Sequence, residues 1–327
     1  MKVATLDVWT PRIRDIVRAA LPDGFEIEFA QSYDPGEQTA LVRDADFVLA
    51  GWAEVTGDMI RQAPRLRLIQ KWGIGVDRID LRTAEEEGVA VAIAAGSNAS
   101  PVAEHAIMLM LAVYRRLAEV DAALRQGDWL FPKMRERCFQ LRGKTVGLIG
   151  FGHIGRMVAR KLAGFDVEIV YYDPVRAGPA VESDLRARLV DRDTLLERSD
   201  IVSLHYPGGE ENRHSIEAAS LARMKPGAVL INTARGELVD EAALCAALAT
   251  GHLMGAGLDT FDPEPPTRDA RILGFKQVVL TPHTAGSVVD NVEGVARHVF
   301  ANMVRFLDGQ DVAEADRVVT PAMPRRS

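Results

Sequence analysis

Short apolar runs and amphipathic segments alternate along residues 1–96. Val3–Leu6, Ile27–Ala30, Phe47–Gly51, Leu66–Lys71 and Val89–Ala94 read as strands. Arg12–Leu21, Glu37–Arg43, Thr56–Gln62 and Arg82–Glu87 read as the helices between them. This rhythm predicts an α/β fold with an open parallel sheet. At Ser97 the pattern changes. Ser100–Pro101 offers an N-cap followed by a proline at the first helical position. The run through Val102, Ala106, Met108, Met110, Leu111 and Tyr114 is apolar on nearly every side. Such a helix is expected to cross between domains or subunits, with Gly127 and the turn-rich Gln126–Lys133 stretch ending it. Further strands are predicted at Leu189, Ile201–His205, Val229–Thr233, Ala256–Asp259 and Val278–Thr281. An amphipathic helix then spans Ser287–Leu307, and Asp308–Ser327 reads as irregular. The residues after the last strand are too few for another domain and are expected to return to the first. The predicted division is 1–98 with 288–327 around an inserted 99–287.

Between the two halves lies the most informative stretch, Thr145–Asp173. An apolar run ends at Gly150, Gly152 and Gly155 complete G-x-G-x-x-G, and Met157–Leu162 continue at helical spacing. A second apolar run, Val167–Tyr172, ends in Asp173, eighteen residues past Gly155. Strand, tight turn and helix N-terminus in this order form a site for a dinucleotide pyrophosphate. Gly150 allows the turn, Gly152 lets the phosphates approach the backbone, and Gly155 brings the helix close to the strand. Asp173 suits a ribose diol and repels a 2′-phosphate, favouring NAD. Arg176, three residues on, leaves room for some use of NADP.

Composition narrows the class. The 327 residues carry a net charge of −7, which argues against nucleic acid or an anionic membrane as partner. No apolar run approaches the ~18 residues needed to span a bilayer. Residues 1–8 read as a first strand rather than a secretory leader. Cys138 and Cys245 sit in no C-x-x-C pair, which fits a reducing cytoplasm. The seven histidines show no metal-ligand spacing, so no metal is expected.

Three strings place polar groups at expected strand ends: Ile231–Gly236 with Arg235, Gly257–Pro266 with Asp259 and Glu264, and Thr281–Gly286 with His283. Alone, each has a bland reading as a surface salt bridge, an acidic turn or a structural histidine. Together they match a reaction. Hydride transfer from an alcohol needs a base for the hydroxyl proton, and the reverse needs an acid; histidine serves both. Glu264 would orient and stabilise its imidazolium. Arg235 would meet the carboxylate and polarised carbonyl of a 2-oxoacid.

Taken together, the chain resembles the D-isomer-specific 2-hydroxyacid dehydrogenases, which include phosphoglycerate dehydrogenase and glyoxylate/hydroxypyruvate reductase. The matching strings are Gly73–Asp77, Val102–His105, the glycine loop, His205–Pro207, Asn232–Gly236, Asp259–Pro265 and Thr281–His283. The resemblance implies two open parallel-sheet α/β domains, a Rossmann dinucleotide-binding domain inserted into a flavodoxin-like substrate domain. It implies Arg235, Glu264 and His283 as the catalytic set. Cofactor contacts are expected from Gly150, Gly152, His153, Ile154, Gly155, Asp173, His205, Pro207, Thr233, Ala234, Arg235, Asp259 and Gly286, with Asp259 reaching the nicotinamide carboxamide. Amides around Ile74–Gly75 would hold the substrate carboxylate. The two domains would close over a cleft, and a homodimer would form through the cofactor domain, which accounts for the apolar helix. One departure stands out: Gly208-Gly209 replaces the common Leu-Thr after His-x-Pro, so adenine-side contacts are expected to be looser.

The substrate side is expected from Ala50–Val55 and Lys71–Gly75, with Trp52, Lys71, Gly73, Ile74 and Gly75 joining Arg235 and His283. A phosphorylated substrate needs two or more cations, and Lys71 is the only one in these strings, with Arg78 slightly beyond. Trp52 and Trp72 either wall a flat apolar pocket or simply pack. The expectation of no appended regulatory domain, such as many phosphoglycerate dehydrogenases carry, points the same way. An unphosphorylated 2-oxoacid is therefore expected: glyoxylate, hydroxypyruvate or a larger relative. The alternatives are 3-phosphoglycerate oxidation, formate oxidation on the same architecture, and a non-catalytic NAD-sensing interaction protein.

Overall fold

The computed structural model describes residues 1–323, so the expectation for 324–327 lies outside the described residues. The chain divides into two compact units, Met1–Asn98 with Val288–Ser327 and Ala99–Ser287. Strands β1 (Lys2–Thr5), β2 (Glu26–Phe29), β3 (Phe47–Ala50), β4 (Leu68–Lys71) and β5 (Ala90–Ala92) belong to the first unit. Strands β6 (Thr145–Ile149), β7 (Glu168–Tyr172), β8 (Ala187–Leu189), β9 (Ile201–Leu204), β10 (Ala228–Asn232), β11 (Leu253–Leu258) and β12 (Val278–Leu280) belong to the second, and β13 (Arg317–Val319) to the first.

In the first unit the sheet runs β2-β1-β3-β4-β5-β13, the doubly wound order of flavodoxin-like folds with one strand added at the edge. β3 and β4 are buried along their whole length, which is why both read as unbroken apolar runs. Alternate residues serve two cores. Ala4, Leu6 and Val48 point to one, and Val3, Phe47 and Leu49 to the other. The helix Val289–Leu307 closes the second core with Val295, Val299 and Phe300, so the C-terminal segment completes this unit.

The tail departs from the irregular reading. β13 pairs antiparallel with β5, breaking the otherwise parallel sheet. Asp316 anchors it: its carboxylate accepts the Ala95 N–H at 2.8 Å and the Asn302 amide at 3.0 Å, and meets His298 Nε2 at 2.6 Å. A strand of three residues is too short to show a period.

In the second unit the order is β8-β7-β6-β9-β10-β11-β12, all parallel, with the switch point between β6 and β9. This is the Rossmann order, and ligands of such sheets bind outside the strands' carboxyl ends at the switch point. The helix Ala99–Tyr114 begins one residue before the expected cap. Leu109, Met110 and Val113 share a core with Val229 and Ile231 of this sheet, so the helix lies on its own unit. Its outer face leaves Met108 and Leu111 exposed, which makes it less than buried all round. It also ends well before Gly127. Arg116 is left-handed (φ 54°) and a separate helix, Leu117–Arg125, follows. Within the turn-rich stretch, Phe131–Met134 forms another short turn of helix.

Candidate active site

The glycine loop leaves β6 at the switch point. Gly150 has φ +90°, and a β-carbon there would lie 2.4 Å from the His205 carbonyl oxygen at the end of β9. A β-carbon on Gly155 would lie 2.3 Å from the Gly150 carbonyl oxygen, so the helix His153–Leu162 starts hard against the turn. Gly152, by contrast, faces open space, and His153 beside it is exposed while Ile154 is half-buried. Turn, bare backbone and helix N-terminus together fit a dinucleotide pyrophosphate. Asp173 follows β7 and accepts the N–H groups of Phe151 (2.7 Å) and Val175 (2.8 Å), which fixes its carboxylate beside the loop.

The same edge of the sheet gathers the other expected cofactor residues. His205 Nε2 meets Ser203 Oγ at 2.9 Å. Among the described residues its Nδ1 and the Thr233 hydroxyl are buried without a hydrogen-bond partner. Burial pushes the His205 imidazole down to about 3, so it is neutral at physiological pH. Gly208 makes room for Glu237, and Gly209 supplies a turn at positive φ (+105°). The Glu237 carboxylate accepts the Gly209 N–H at 2.5 Å, and Asn212 donates to the Pro207 carbonyl at 3.1 Å, so this loop is held from within the unit.

Arg235 follows β10. The Asn232 side chain brackets it, donating to the Arg235 carbonyl at 2.7 Å and accepting the Ala234 N–H at 3.0 Å, while Arg235 Nη1 donates to the Ala234 carbonyl. The Glu264 segment bends, and the Phe261 N–H donates forward to Glu264 Oε1 at 3.0 Å. Glu264 meets His283 Nδ1 with both oxygens, at 3.0 and 3.1 Å. His283 itself is left-handed (φ 53°), a conformation that costs a non-glycine residue and persists only where the surroundings impose it.

Asp259 is what imposes it. Its carbonyl accepts the His283 N–H at 2.8 Å, and its carboxylate accepts Thr284 N–H and Ala285 N–H, both at 2.9 Å, and the Thr281 hydroxyl at 2.5 Å. At 1 % exposure, Asp259 is an organiser of the His283 loop. Gly286 sits inside the turn closed by Ser287 N–H on the Thr284 carbonyl. His105 completes the cluster from the helix Ala99–Tyr114, with Nε2 2.8 Å from Thr281 Oγ1. Burial lowers its basicity, with Asp259 opposing. His105 had no role beyond a matching string, since nothing near it in sequence points to Thr281.

In the first unit, Asp7 follows β1 and accepts three consecutive N–H groups: Gly51, Trp52 (2.6 Å) and Ala53 (3.0 Å). An acid just past a strand end is the only signal of this organiser in the sequence. Lys71 is buried and donates to the Gly51 carbonyl. Arg78 lies over the Trp52 ring at 4.0 Å and 3.8 Å from Glu54. Trp72 packs edge-on against Trp9 at 4.8 Å. Gly73 has φ +120°, and among the described residues the N–H groups of Ile74 and Gly75 donate no hydrogen bond. Successive unsatisfied amides of this kind suit an anion.

Among the described residues, no group of three or more His, Cys, Asp or Glu side chains is placed to hold a metal, and no helix is long and apolar enough to cross a membrane. Residues 107–285 match the family described as D-isomer specific 2-hydroxyacid dehydrogenase, NAD binding domain. A D-3-phosphoglycerate dehydrogenase of Mycobacterium leprae is 38 % identical over 92 % of this chain, which spans only 56 % of that relative's length. A hydroxypyruvate reductase of Thermotoga maritima is 39 % identical over 81 % of this chain and 86 % of the relative. The apo D-mandelate dehydrogenase of Rhodotorula graminis superposes with a TM-score of 0.86 at 28 % identity, covering 99 % of both chains. The glycine cradle, the order of the second sheet and these matches lead to one conclusion: the chain belongs to the D-isomer-specific 2-hydroxyacid dehydrogenases and carries that family's NAD-binding domain.

Proposed function

We propose that the protein is an NAD-dependent dehydrogenase interconverting a D-2-hydroxy acid and its 2-oxoacid, with an unphosphorylated substrate. The observation that carries this reading is the His283–Glu264 pair at 3.0 Å, held on the edge of the sheet that also bears the glycine cradle. When bound, NAD supplies a nicotinamide ring that takes or gives a hydride. Gly150, Gly152 and Gly155 with the following helix would hold its pyrophosphate, and Asp173 its ribose. With Nδ1 engaged by Glu264, His283 exchanges the substrate proton through Nε2, as base in oxidation and acid in reduction. Glu264 stabilises the imidazolium formed on the way. Arg235 would meet the substrate carboxylate and polarise the carbonyl. In the first unit, taken by itself as the substrate domain, the amides of Ile74 and Gly75, free among the described residues, suit a carboxylate.

The occupied cations of the first unit support an unphosphorylated substrate: Lys71 is spent on Gly51, and Arg78 on Trp52 and Glu54. An acid–base pair also argues against formate, whose oxidation to carbon dioxide needs none. The exposed apolar side chains Met108, Leu111, Leu117, Trp129, Phe131 and Phe139 support a homodimer through the cofactor-binding unit. The two free cysteines favour a cytoplasmic enzyme.

NADH oxidation with glyoxylate, hydroxypyruvate, phenylglyoxylate and phosphohydroxypyruvate, beside formate-dependent NAD reduction, tests the reading. Turnover of the unphosphorylated 2-oxoacids is expected. The second reading, phosphoglycerate dehydrogenase, is favoured by the 38 % match and wins if the phosphorylated substrate is turned over equally well or better. No oxidation of NADH with any of them would leave a non-catalytic NAD-binding protein.

A further inference from the structure

The end of β7 and the helix Pro179–Leu185 carry an arrangement that the hydride-transfer reading leaves unused. Glu182 is only 13 % exposed, and its carboxylate is held by two partners. Arg176 approaches with two arms of its guanidinium, Nε to Oε1 at 2.9 Å and Nη2 to Oε2 at 2.7 Å. The Tyr171 hydroxyl donates to Oε1 at 2.7 Å and itself accepts the Ala177 N–H at 3.1 Å. The Tyr171 ring stacks on Phe151 at 3.9 Å, and the Phe151 N–H is one of the two that fix Asp173. Contacts therefore run without a break from Glu182 to the residue assigned to the ribose. The guanidinium and the hydroxyl hold the Glu182 carboxyl down at about 2, so it is an anion throughout the working range.

Arg176 stands three residues after Asp173 and is 61 % exposed, which on position alone makes it a candidate partner for a 2′-phosphate. The fork-to-fork pair with a carboxylate is the strong form of such a contact. Turning away would leave a largely covered carboxylate with Tyr171 alone. We propose that Glu182 is a cofactor-specificity residue: by holding Arg176 in a bidentate pair it withholds that guanidinium from a 2′-phosphorylated dinucleotide, so the repulsion from Asp173 goes uncompensated. The inference rests on the assignment of Asp173 to the ribose, and the experiment separates the two.

Binding of NADH and of NADPH is measured by calorimetry, without turnover, on the full chain and on Glu182→Gln, Arg176→Ala, the double variant and Asp173→Asn. Glutamine keeps an acceptor for Tyr171 and loses the charge that captures Arg176. Glu182→Gln should raise NADPH affinity relative to NADH by about tenfold, the worth of one hydrogen bond between charged groups. The double variant should lose that gain, and Arg176→Ala alone should leave the wild-type ratio unchanged. A ratio unmoved in Glu182→Gln overturns the proposal, as does a loss of NADPH affinity in Arg176→Ala. The second result decides by itself if Glu182→Gln does not fold. Asp173→Asn judges the ribose assignment separately: NADH affinity unaltered there removes that assignment, whatever the Glu182 result.

Discussion

A β-carbon on Gly236 would lie 2.0 Å from the carbonyl carbon of Phe261. The backbone after Arg235 thus touches the backbone of the loop whose Phe261 N–H holds Glu264. Two parts of the proposed catalytic set are locked together by the absence of a side chain. Gly236→Ala must push these backbones apart, and a displacement of about 1 Å at reacting groups costs on the order of a hundredfold in rate. We expect kcat/KM to fall by that order while NADH still binds, read by steady-state kinetics and a direct NADH titration. Unchanged kinetics would show that the contact does not set the catalytic geometry.

Asp259 holds the His283 loop through three hydrogen bonds to its carboxylate. Asp259→Asn keeps the shape but replaces one acceptor oxygen by a donor facing N–H or O–H groups. The prediction is a drop in kcat of roughly tenfold or more as His283 loses its fixed position. Amide hydrogen exchange over 281–287 should quicken in parallel. Normal exchange with lost activity would assign Asp259 a direct contact with ligand instead.

Asp7 gathers the N–H groups of Gly51, Trp52 and Ala53. Asp7→Asn weakens charge-assisted bonds and frees the loop expected to face the substrate. KM for the 2-oxoacid should rise by about tenfold, the order of one such bond, with NADH affinity retained. If KM stays put, the loop does not read the substrate.

His205 gives a pH dependence of known sign. Its folded value of about 3 lies below the ~6.5 of an unfolded chain. Between those values the unfolded chain binds a proton that the folded protein refuses. The stability is complete above ~6.5 and is lost as pH falls toward 3. Urea unfolding at pH 7 and pH 4.5 should show His205→Gln losing less stability over that interval than the wild type. An equally steep loss in the variant would mean that His205 is protonated in the folded state.

The glycine loop, Asp173, the strand–helix alternation and the three strings around Arg235, Glu264 and His283 were legible because each is a short-range pattern. A turn needs its glycine, a buried strand its apolar run, and a strand end its polar group, all within a few residues. The same locality hid the break at Arg116 and the strand at Arg317–Val319, where a backbone angle or an anchoring carboxylate decides rather than periodicity.

Local patterns along the chain suffice for the class of fold, the dinucleotide cradle and the types of side chain available for chemistry. Which groups hold them in place emerges from contacts that form after the chain has folded. His105 reaches Thr281 across 176 residues, and Asp316 reaches the Ala95 N–H across 221. Asp7 and Asp259 likewise act on loops brought to them by the sheets. A hydrogen bond between residues so far apart leaves no trace in local spacing, because its geometry exists only once the strands have found their register.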